Sequence, residues 1–81
     1  MSDNADAKAL KNLDIALELL TAELAYNKER LADKRISEAK AKFITLSLAR
    51  IEREIEGISK MRAEVLSRLD WETRIADNMA H

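Results

Sequence analysis

The chain contains no cysteine and no proline, a single glycine (Gly57), and a single histidine, His81, at its last position. Without cysteine there is no disulfide to staple a small fold, no thiol nucleophile and no thiolate metal ligand. With His81 as the sole imidazole, neither a Ser-His-Asp nor a Cys-His arrangement can be assembled. The paired Glu-x-x-His motifs of a helical di-metal site are missing for the same reason. One glycine cannot build a phosphate-cradling loop. Apolar runs are only a few residues long, too short for a membrane span. The net charge of −1 supplies no global field toward nucleic acid or anionic lipid. The opening MSDNADAK is acidic and lacks the basic-then-apolar order of a secretory signal, so a cytoplasmic protein is expected. The remaining acids mostly stand four residues from a Lys or Arg, as on a solvated helix face. The expectation is a non-enzyme with no catalytic residue, no cofactor, no metal and no small-molecule substrate.

What the chain does have is helix-forming composition. Of its 81 residues, 36% are charged and 47% hydrophobic, with a strong bias to Ala, Leu, Glu, Lys and Arg. That combination marks long helices or coiled coil. The stretch Ala9 to Tyr26 is the densest, with twelve apolar residues in eighteen. Leu10, Leu13, Leu17, Leu20 and Leu24 step by three and four, the spacing of a helix packed on another helix. Ile15, Leu19, Ala22 and Tyr26 lie along a second line on roughly the opposite side. A helix apolar on two sides wants two neighbours.

Ser2, Asp3 and Asn4 are suitable N-cap residues, with Asp3 and Asp6 near the positive end of the helix dipole. Lys28, Arg30, Lys34 and Arg35 crowd the far end, so a first helix is expected over about residues 5–33. The seam falters through residues 32–35, and a turn is expected over about 33–37, with Asp33 or Ser37 available to cap the next helix. The alternative is one unbroken helix of roughly 105 Å at 1.5 Å per residue. A second seam runs Ile44, Leu48, Ile51, Ile55, Ile58, then Met61 or Arg62, Val65 and Leu69, predicting a second helix over about 37–78. Glu38–Lys42, Glu56–Lys60 and Glu64–Arg68 place acid four residues before base on its outer side. Gly57 either interrupts this helix as a C-cap or sits inside it; the seam continues past it without a slip, favouring one helix. Pairing about a turn near residue 35 would set residue i opposite about 70 − i, leaving WETRIADNMAH as an overhang.

The expected fold is therefore all-α: a single domain over 1–81, a long antiparallel helical hairpin forming a homodimeric four-helix bundle. A three-helix bundle broken at Gly57 is the runner-up. A chain this short hides only about 60% of its unfolded surface, and small scaffolds without disulfides or metals commonly oligomerise. The expected function is protein–protein interaction: an adaptor or inhibitor that binds itself and one larger regulator or enzyme through apolar helix faces. Its candidate interface residues are Ile15, Leu19, Ala22, Tyr26, Leu46, Trp71, Ile75 and Met79. Asn27, polar at a seam position, is a candidate register-setting residue. Lys28, Arg30, Lys34 and Arg35 are candidate anion contacts, and the stretch Lys28–Lys42 is where a nucleic-acid-associated regulator would bind. Its six bases face three acids there, a weaker imbalance than nucleic-acid binders show. A self-assembling structural coiled coil is the third reading.

Overall fold

The computed structural model of the protein describes residues 5–79 and consists of two helices, α1 (Ala5–Ala32) and α2 (Glu38–Met79), joined by residues 33–37. The expected caps Ser2, Asp3 and Asn4 lie outside the described residues. The helices fold back on each other as an extended hairpin with extents of 66 × 16 × 16 Å. At 1.5 Å per residue, the 42 residues of α2 account for nearly all of that length. The unbroken single helix is thereby excluded.

The chain turns without glycine and without a positive φ among the described residues. Asp33 N–H donates to the Arg30 carbonyl at 3.2 Å, a tighter closure than the α-helical bond, and Ile36 N–H donates to the Asp33 carbonyl at 3.3 Å. The Asp33 carboxylate accepts the Arg35 backbone N–H at 3.0 Å, an Asx turn that holds the bend. Ser37 then starts α2: its hydroxyl accepts the Lys40 N–H at 3.2 Å and its carbonyl accepts the first helical bond, from Ala41 N–H at 2.9 Å. Ser37 is thus the N-cap and Asp33 the turn residue. The position that would complete a capping box is Lys40, so the cap is one-sided.

Both seams face inward. Ile44 and Ile51 are 1% and 0% exposed, and Val65 is buried with them. Leu10, Leu13, Leu17, Leu20, Leu24 and Leu31 are partly buried along α1, as are Leu48, Ile55, Ile58 and Leu69 along α2. At the ambiguous position Arg62 takes the seam and pairs with Asp14, while Met61 turns half outward. Asn27 is buried in the α1 seam, where its side-chain amide donates to the Glu23 carbonyl of its own helix at 2.9 Å. α2 passes through Gly57 unbroken, so the described residues form two helices and not three.

The register differs from the simple expectation. Asp14 pairs with Arg62, Asp6 with Arg68 at 3.3 Å, and Glu23 approaches Arg50 at 4.0 Å. Residue i of α1 therefore faces about 74 − i, one helical turn from the symmetric estimate. The turn accounts for the shift: α1 stops at Ala32, but residues 33–37 and the capped first turn of α2 run on before the helices meet side by side. Of the expected i,i+4 pairs, Glu56–Lys60 forms at 3.5 Å, whereas Arg68 reaches across to Asp6 instead of to Glu64.

Candidate interaction surface

A helix with 3.6 residues per turn places Ile15, Leu19, Ala22 and Tyr26 roughly 160° around α1 from its leucine seam. The fold spends the seam on α2, so this second line must point away from the hairpin. It does. Leu19 is 67% exposed, and Ile15, Ala22 and Tyr26 are exposed beside it. The result is an apolar ridge about 17 Å long down the back of α1. At one end the Arg30 guanidinium lies 5.7 Å from the centre of the Tyr26 ring, a cation–π contact that restrains both side chains.

The outer side of α2 carries apolar groups near each end, with charged residues and the half-exposed Met61 between them. Leu46 (71% exposed) and Phe43 stand near the turn, and Trp71 (64% exposed) stands near the far end with Ile75 one turn on and partly buried. Arg50, Arg53 and Glu64 occupy the space between. The Met79 side chain lies outside the described part of the molecule. Phe43 directly precedes the seam residue Ile44 and reads as core by composition, so sequence reasoning misses it as a surface residue. Its position about 90° from the seam, three residues before Leu46, is the signal that distinguishes it.

The basic residues do not gather. Lys28 and Arg30, two positions apart, project from opposite sides of α1 at about 100° per residue. Arg30 lies over Tyr26, and Arg35 folds back on Asp33 with nitrogen–oxygen distances of 3.2 and 3.4 Å. Lys34 is exposed in the turn. The Asp33 carboxyl is held below its ordinary range, first by the Arg35 backbone N–H and then by the Arg35 side chain.

Between the helices, Ala9, Asn12, Leu13, Met61 and Val65 line a shallow open groove, with Arg68 and Glu64 at its rim. Among the described residues no three His, Cys, Asp or Glu side chains gather as a metal site would require, and no helix is long and apolar enough to cross a membrane. No protein-family model matches the chain, and comparisons with curated proteins and with solved structures likewise give no match.

Proposed function

We propose that this protein is a non-enzymatic interaction module, a small helical adaptor or inhibitor that presents apolar helix faces to a second copy of itself and to a larger protein. What supports this most directly is the balance of apolar side chains. Among the described residues, three hydrophobic side chains are buried, Ile44, Ile51 and Val65, while eight large ones are exposed. Scattered apolar residues on a surface are ordinary. Here Ile15, Leu19 and Tyr26 stand in register on α1 with Ala22 among them, and Phe43 and Leu46 form an i,i+3 pair on α2, the pattern by which an amphipathic helix is read by a partner.

The test uses the full chain as bait in a lysate of its native host, with and without nuclease, at low and high salt, beside a Leu46→Glu, Trp71→Ala variant. A protein partner that survives nuclease and salt and is lost with the variant supports the reading. Recovery that collapses on nuclease or steeply with salt would transfer the function to the bases between Lys28 and Lys42. A partner held equally by the variant would exclude the outer side of α2 as its contact.

A further inference from the structure

We propose that the α1 ridge seats a second copy of this chain, docked antiparallel about a two-fold axis between Leu19 and Ala22. The proposal rests on the interaction-module reading and assigns one of its faces. Ile15, Leu19, Ala22 and Tyr26 repeat at steps of four, three and four, are exposed, and face directly away from α2. The hairpin also has surface to lose. A compact folded chain of 9.2 kDa exposes about 4,900 Å², whereas this one exposes 6625 Å². That surplus, about 1,700 Å², is spread over the whole rod, and an interface on the α1 side removing roughly 800 Å² per partner would bring the chain nearer the compact value.

Charge fixes the direction. A parallel pair would set Lys8 on the partner's Lys8 and Glu29 on the partner's Glu29. It would also bring Glu18 beside the partner's Glu23 twice, at the flanking positions that decide helix pairing. An antiparallel pair removes all of these like-charge contacts. It sets Leu19 against the partner's Ala22, large beside small, and Ile15 against the partner's Tyr26. Asn12 then meets the partner's Glu29, and Lys8 comes to the carbonyl end of the partner's α1, where a cation is favoured.

The natural absence of cysteine makes a direct test available. Asn12→Cys and Glu29→Cys each change an exposed residue of α1. In the antiparallel pair, equivalent positions are separated by about 25 Å along the axis, far beyond disulfide reach. Full-length single variants are oxidised separately and as a mixture, and read on a non-reducing gel beside sedimentation equilibrium. The expected result is a dimer whose cross-link appears only in the mixture and whose dissociation constant rises at least about tenfold in Leu19→Glu, which would bury a charge. Cross-linking of each variant alone would establish a parallel pair and overturn the proposal. A dimer that cross-links in neither case would place the contact on another face, with the same consequence. A monomer at every concentration would overturn the self-association while leaving partner capture by the outer side of α2 as a separate question.

Discussion

Two residues show how much of this hairpin is settled by single side chains. Asn27 occupies a buried seam position, yet its amide bonds only to its own helix, at the Glu23 carbonyl. A polar group so placed is satisfied without joining the two helices, so it contributes less than an apolar side chain packed against α2. Asn27→Leu is expected to raise stability by about 1 kcal/mol and the thermal midpoint by roughly 4–8 °C. A lower midpoint by calorimetry would mean the amide holds something that leucine cannot. Asp33 makes the opposite case, a polar residue that builds the bend. Its folded carboxyl titrates below the ordinary value of about 3.9. Its contribution to the turn is therefore complete above that value and is lost as pH falls through the lower, folded one. The Arg35 backbone N–H is the leading cause and the guanidinium the second. Arg35→Ala should thus return the Asp33 titration only part of the way, as monitored by NMR of the side-chain carboxyl. A full return would assign the effect to the guanidinium alone.

At the scale of the helix, the sequence was legible wherever apolar spacing decided the outcome. The seams from Leu10 to Leu31 and from Ile44 to Leu69 face each other as their steps of three and four require. The exposed ridge on α1 was legible for the same reason, since four apolar residues opposite a filled seam have no partner within two helices. Register was not legible, because periodicity along each helix says nothing about axial offset. That offset is set by the capped turn at Ser37 and by Asp14–Arg62 and Asp6–Arg68, pairs between residues far apart in the chain. Phe43 escaped because its neighbour Ile44 masks a residue a quarter turn away. Gly57 is no obstacle to α2, as the uninterrupted seam implies, and its surroundings give a sharp expectation. A Cβ added there meets nothing within 4 Å, and its φ is not positive. Gly57→Ala should therefore stabilise the protein by roughly 0.5–1 kcal/mol through helix propensity and lower unfolded-state entropy. Denaturant unfolding would show it as a higher midpoint at unchanged slope. A loss of stability would point to an approach to the α2 backbone that the hairpin alone does not contain.

The whole molecule is a rod with a radius of gyration of 18.8 Å, where a compact chain of its length would have about 12 Å. Two helices can shield only one stripe of each other, so a rod of this kind keeps much of its apolar surface in water. The three ion pairs between the helices fix alignment more than they stabilise, because every partner retains exposure and exposed pairs contribute at most about 1 kcal/mol each. Stability must then come mainly from burial, and if the α1 ridge is covered by a second copy, part of that burial is intermolecular. Folding and association would be linked, and the thermal midpoint would depend on concentration. For a dimer of this size, a tenfold rise in concentration adds about 1.4 kcal/mol and should lift the midpoint by about 4 °C. Leu19→Glu should lower the midpoint at any one concentration, because the charge lies on the ridge and leaves the Ile44–Ile51–Val65 core untouched. A midpoint independent of concentration in the natural chain would show that the hairpin stands on its own core, and the ridge would then be a surface kept open for a different protein.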